Sequence, residues 1–282
     1  MGEFLRSVAQ GAYPPKDKLP DPSRIGILVP GFLIPARKPK RLPPVTPIAP
    51  LAQAFADRSG ITTYTVNTTS WDSPSDRAER IADAVVGNPQ SHDADEVSVY
   101  TQSHGITLGD PLVKAFKDRG LRVRVAAHIT PRRFDQVSMP RLAAAVLLDM
   151  GRTTKEIARH PINEFHSLGA VARYLGVSVP NLLKKIATGE VIRELQECSL
   201  IGPSNDNTDV PTIIVLEEND PIVNRRKLHN GDNNAFAQLL PNSPHVGVLV
   251  MPRGHHGSPL MYPRETAGVI FDELERYEAT QS

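Results

Sequence analysis

The sequence predicts an α/β fold: a mostly parallel, doubly wound sheet with a helical cap inserted between two late strands. Three observations predict it. Short β-branched or apolar runs alternate with segments of helical spacing, as successive βαβ units require. Several of the runs are apolar along their length, as strands buried on both faces are. One long block, residues 132–205, loses the strand signal and then gives way to it again.

Taken in order, residues 1–22 are polar and proline-bearing and read as an extended N-terminal arm. Arg24–Val29 (RIGILV) is a short apolar run that stops at Pro30-Gly31, which suits a buried strand feeding a tight loop. Residues 35–50 hold six prolines among basic residues, and no regular element is expected there. Leu51–Arg58 reads as a short helix ended by Gly60, and ITTYTV (61–66) as a strand. Ser75 is expected to cap a helix running to Val86, with Ala78, Ile81, Ala82 and Val85 on its apolar side. EVSVYT (96–101) is the next strand. A helix follows from Ser103 to about Arg119, closed by Gly120, and RVRVAAHI (122–129) is a further strand.

The block 132–205 carries four stretches of helical spacing, among them RLAAAVLLDM and VPNLLKKIATG, and reads as a cap over the sheet. PTIIVLEEND (211–220) and HVGVLVM (245–251) restore the strand pattern, and Arg264–Tyr277 reads as a closing helix. The expected organisation is an arm (1–22), a core from 23–131 and 206–282, and a cap insertion (132–205).

Composition narrows the function classes. The chain has 282 residues, 40% hydrophobic and 22% charged, with a formal net charge of +1. So neutral a chain is a poor prior for a nucleic-acid binder. The single cysteine, Cys198, allows no internal disulfide, which fits a reducing compartment. The N-terminus has no apolar stretch of the kind a secretory signal needs. No run approaches the roughly 20 apolar residues of a membrane span. The expectation is a cytoplasmic protein with no membrane span and no nucleic-acid partner. Homo-oligomerisation stays open.

The chemistry concentrates at Thr101-Gln102-Ser103-His104-Gly105, where a strand ends and a helix begins at once. A serine at such a turn is forced out of the sheet at the carboxyl ends of the strands. Small residues two before and two after it let strand and helix pack closely. This segment resembles the nucleophile elbow of the α/β-hydrolases, G-x-S-x-G, with Thr101 in place of the first glycine. The plain alternative is a serine that caps the helix.

The resemblance implies further residues, in the chain order serine, acid, histidine. Asp220, in Asn219-Asp220-Pro221-Ile222-Val223 after a late strand, resembles the family's acid loop, with Glu217 and Glu218 as competitors that belong to the strand. Pro252-Arg253-Gly254-His255-His256-Gly257 follows the last strand and resembles the loop of the general base. Gly254-His255 favours His255, and counting from Pro252 favours His256. The oxyanion donors implied are the backbone N–H groups of His104 and Phe32, with Leu33 as the alternative to Phe32. Leu33, Arg37 and Lys38 are expected to touch substrate. With Lys40 and Arg41, the last two place four positive charges near the mouth, which would suit an anionic substrate. No metal or cofactor is implied, because adjacent histidines rarely ligate one ion together.

The resemblance covers roughly residues 24–131 and 211–277. It implies a serine hydrolase that cleaves a carboxylic ester or thioester, with a small acyl molecule as its partner. An amidase, peptidase or acyltransferase using the same triad, or a non-catalytic binding homologue, are the alternatives.

Overall fold

A computed structural model describes residues 9–30, 48–66, 74–88, 93–129, 209–217, 246–251 and 258–281. Seven strands among them form one sheet: β1 (Ala9–Tyr13), β2 (Arg24–Val29), β3 (Thr62–Val66), β4 (Glu96–Gln102), β5 (Arg122–Ile129), β6 (Thr212–Glu217) and β7 (Val246–Met251). Their spatial order is β1-β3-β2-β4-β5-β6-β7. β1 runs antiparallel to β3, and every other neighbouring pair is parallel.

The apolar runs become strands because both faces of the sheet are covered. Every residue of β4 is buried, as is every residue of β6. Helices α2 (Pro74–Val86) and α3 (Gly109–Asp118) cover one face, packing Ala78, Ile81, Leu112 and Phe116 on Ile27, Val97 and Val99. Helices α1 (Ala49–Ser59) and α5 (Pro263–Gln281) cover the other, packing Leu51, Phe55, Ile270 and Phe271 on Leu28, Tyr100 and Ile129. A short helix, α4 (Ser258–Met261), leads into α5.

On the second face, Phe55 of α1 stacks on Tyr100 of β4 at a centroid distance of 4.3 Å. Phe271 of α5 meets both rings edge-on, at 6.3 and 6.2 Å. Such contacts add to the area each ring buries, so β4 is held from behind along the strand that leads to Ser103.

Three local readings change. Residues 9–13 of the arm enter the sheet as its edge strand, because β3 offers an unpaired edge. Helix α1 starts at Ala49 and takes Pro50 into its first turn, where a missing N–H costs nothing. Ser75 lies inside α2, after Pro74, and does not cap it. The ends of other helices follow expectation. Gly60 closes α1 at φ 76°, donating its N–H to Ala56 O, and Gly120 stands just past α3 at φ 82°. Both are left-handed positions that favour glycine. The cap insertion, 132–205, lies outside the described residues.

The connections set up one special place. From β2 the chain crosses through α1 to β3 on one side, and from β4 through α3 to β5 on the other. The connections that follow the adjacent strands β2 and β4 therefore lead to strands on opposite sides of the pair. In open α/β sheets, ligands bind in the crevice at the carboxyl ends of the strands at such a switch point.

Candidate active site

β4 ends at Gln102, still extended at φ −119° and ψ 131°. The next residue, Ser103, has φ 53°, and among the described residues it is the one non-glycine with positive φ. A serine held there costs about 1–3 kcal/mol, and it stays there only because its surroundings fix it. The chain then makes a tight 3₁₀ turn, Ser103–Leu108, and passes into α3 at Gly109. The sequence reading put helix from Ser103 onward; its first six residues are this tighter turn instead. The reversal leaves Ser103 half-buried at the carboxyl end of β4, beside the switch point. A helix cap has no need of the left-handed region, since Ncap residues are extended. The φ of Ser103 therefore argues for an elbow over a cap.

Two residues brace this turn by their lack of bulk. A methyl group on Gly105 would stand 2.6 Å from the carbonyl oxygen of Val29 and 3.1 Å from that of Pro30. Only glycine lets the turn lie so close to the end of β2. Pro30 also opens the loop that carries Phe32 and Leu33 in the sequence. A methyl group on Gly109 would stand 2.7 Å from Cε1 of His128.

The position two before Ser103 is where the sequence departs from the usual glycine. Thr101 is fully buried, and its Oγ1 lies 2.8 Å from Nδ1 of His128, its cross-strand neighbour on β5. Burial pushes the His128 imidazole down to about 4, so the ring is neutral at ordinary pH. In a neutral ring one partner of this pair donates and the other accepts, so the hydroxyl is satisfied. Sequence reasoning passed over His128. The available signal was a histidine in VAAHI, the otherwise apolar carboxyl half of its strand.

The other predicted residues divide by position. Glu217 is the buried last residue of β6, as expected of the strand. Glu218 and Asp220 lie just past it, outside the described residues. So do His255 and His256 after β7, and Phe32, Leu33, Arg37, Lys38, Lys40 and Arg41 after β2. His104 is described as backbone within the 3₁₀ turn. The structure thus brings the strand ends that lead to all three predicted loops to one edge of one sheet. The register is level from Gln102 through Ile129 to Val215 and Leu249, with β6 and β7 two residues longer at Glu217 and Met251. No group of three or more His, Cys, Asp or Glu among the described residues could hold a metal ion. No helix among them is long and apolar enough to cross a membrane.

No protein-family model matches the sequence, and no curated protein matches it either. Solved structures do resemble it. A lipase-esterase related protein from Clostridium acetobutylicum superposes with a TM-score of 0.59 at 12% identity, over 94% of this chain and 99% of that one. The chain has the α/β-hydrolase fold. Two further α/β-hydrolase structures span nearly its whole length. Est816, described as an N-acyl homoserine lactone degrading enzyme, gives 0.56 at 14% identity over 94% and 96% of the two chains. The NocB thioesterase domain, in covalent complex with a fluorophosphonate nocardicin G analog, gives 0.55 at 12% over 94% and 99%. At these identities the likeness establishes the α/β-hydrolase fold, while the chemistry rests on the site itself.

Proposed function

We propose that this chain is a serine hydrolase that cleaves a carboxylic ester or thioester through an acyl-enzyme. The observation that carries the reading is Ser103: a non-glycine residue in the left-handed region, at the end of β4, beside the switch point of the sheet. Strained φ at a crevice is characteristic of functional positions, and the nucleophile elbow needs this backbone. The named activities of the structural neighbours, lipase-esterase, lactone degradation and thioesterase, support the same class.

In this reading Ser103 Oγ attacks the acyl carbon while His255 takes its proton. The carbonyl electrons move onto oxygen, and the N–H groups of His104 and Phe32 hold the charge. The tetrahedral species collapses, the bond to the leaving group breaks, and His255 returns the proton to that group. Water then attacks the acyl-enzyme by the same route and releases the acid. Asp220 holds the imidazole in one tautomer and stabilises its charged form. His256 is the alternative base. Leu33 lines the acyl path, and Arg37 and Lys38 receive an anionic part of the substrate.

The topology supports this assembly by its reach. Neighbouring strands lie about 4.8 Å apart, so β7 is roughly 14 Å from β4 across the sheet. His255 is four residues past the end of β7, and four residues span at most about 14 Å. The loop can return the ring to Ser103 only by running back across the sheet edge. Asp220 is three residues past β6, which stands between.

A panel of nitrophenyl esters of varied acyl length, run beside aminoacyl anilides, tests the reading. Ester turnover that disappears in Ser103→Ala and falls in Asp220→Asn is the expected result. Whichever of His255→Ala and His256→Ala abolishes turnover names the base. Anilide turnover exceeding ester turnover would move the chain to the amidases. Turnover that survives in Ser103→Ala would overturn the mechanism.

A further inference from the structure

We propose that His128 is a positioning residue for Ser103: its ring joins Thr101, just before the elbow, to Gly109, where α3 begins, and so holds the turn that aims the nucleophile. The proposal rests on the reading of Ser103 as that nucleophile.

The ring touches both sides of the strained residue. On the strand side, Nδ1 lies 2.8 Å from Thr101 Oγ1. On the helix side, Cε1 occupies the space that any side chain at position 109 would need. Ser103 and the 3₁₀ turn hang between these two contacts. Their span is short, two residues back to Thr101 and six forward to Gly109, so a shift at either end must be taken up near Ser103.

The pair also explains the departure from glycine. A threonine at the first motif position brings a methyl and a hydroxyl into a crowded, dry space. Its branched Cβ restricts χ1, which fixes where the hydroxyl points. A buried hydroxyl without a partner would be costly. His128 supplies that partner while staying uncharged, because burial disfavours the imidazolium. A lysine or arginine could meet the hydroxyl only by carrying its charge into the core. A leucine would fill the space and leave the hydroxyl alone. A role confined to stability is the competing account, and it predicts a different outcome for the chemistry of Ser103.

The test measures the rate constant for modification of Ser103 by a small fluorophosphonate, with kcat and KM for a nitrophenyl ester and the melting temperature of each variant. Thr101→Val and His128→Leu are expected to slow modification and lower kcat about tenfold or more, with KM within about twofold of wild type. Thr101→Ser keeps the hydroxyl and is expected to stay within about threefold of wild type in both rates. Val123→Ala removes core volume at the far end of β5 and is expected to lower the melting temperature without changing either rate. If Thr101→Val or His128→Leu does not fold, Thr101→Ala removes the hydroxyl with less disturbance and is read in its place. Wild-type rates in variants that merely melt lower would overturn the proposal, as would a Thr101→Ser variant as slow as Thr101→Val. A wild-type protein that the probe does not modify would overturn the nucleophile reading, and this proposal with it.

Discussion

The two ends of β4 and β5 solve the same problem in opposite ways. Both ends bury polar groups among apolar neighbours. At the amino end the solution is charge. Glu96, with a side chain 5% exposed, meets Arg24 Nε at 2.7 Å and pairs with Arg122, while Arg124 Nε stands 3.9 Å away. Arg124 in turn grips Glu278 of α5 with two bonds, at 2.8 and 2.9 Å. At the carboxyl end the solution is neutral: Thr101 and His128 share one hydrogen bond, and burial keeps the ring uncharged. The backbone differs too. At the amino end every described non-glycine residue keeps a negative φ, while the carboxyl end runs into the positive φ of Ser103. The comparison separates a clamp that holds the fold from a turn whose strain the fold must carry. Changes at one end should register in stability, and changes at the other in chemistry.

The largest expected effect is at the strained end. Ser103→Ala should reduce ester turnover roughly 10⁴-fold or more, measured as kcat/KM. Ser103→Gly should be equally inactive yet gain about 1 kcal/mol in urea unfolding, because glycine adopts the left-handed region freely. A gain in stability on losing the nucleophile would mark the site as strained for function.

The amino end should show the opposite balance. Glu96→Ala removes the buried carboxylate that Arg24 and Arg122 meet from partly exposed positions, and should cost about 1–2 kcal/mol in urea unfolding. Its kcat/KM per folded molecule should stay within about twofold of wild type. A tenfold loss of activity would mean that the two ends are coupled.

Titration sharpens the contrast. In the unfolded chain His128 regains a pKa near 6.5, while in the fold it is pushed down to about 4. Below pH 6.5 the unfolded state binds the proton and the folded state does not, so stability rises with pH across this window. Its contribution is complete above pH 6.5 and is lost as the pH falls to about 4, a change of roughly 3 kcal/mol. Urea unfolding of the wild type and of His128→Asn at pH 4.5, 5.5 and 6.5 should show a steeper dependence in the wild type. Parallel curves would mean that His128 does not titrate in this way.

Gly105→Ala should cost roughly 1–3 kcal/mol, since its methyl meets the backbone of Val29 and not a side chain that can turn away. The smallest effect belongs to the surface. Arg58 on α1 bonds Asp272 at 2.7 Å and Glu275 at 3.0 Å on α5, and all three side chains are exposed. Arg58→Ala should cost no more than about 1 kcal/mol, readable as a small fall in the urea midpoint.

Most of the sheet was legible because burial on both faces leaves a mark: RIGILV and TIIVLE could be little else. The edge strand β1, AQGAY, was not legible, because its small residues follow the edge of β3 and no pattern of their own. Ser103 could be found from the strand–turn–helix context around it. His128 could not be tied to it, for a reason of register. Between Val97 and Ser98 the pairing of β4 with β5 slips by one residue, so that Arg124 stands opposite no residue of β4. Without that slip Thr101 would face Ala127; with it, Thr101 faces His128. A one-residue irregularity near the amino end thus sets the contact beneath the nucleophile, and nothing in the sequence announces it. For Asp220, His255 and Phe32, the sequence supplies chain order, and the fold supplies the common edge where their loops begin.

The central claim is that the strained serine is the nucleophile. Intact-mass spectrometry after treatment with a fluorophosphonate, followed by peptide mapping, tests it most directly. A single adduct located on Ser103, absent in Ser103→Ala and absent from the urea-unfolded protein, is the expected result. An adduct on another residue, or none on the folded wild-type chain, would contradict it.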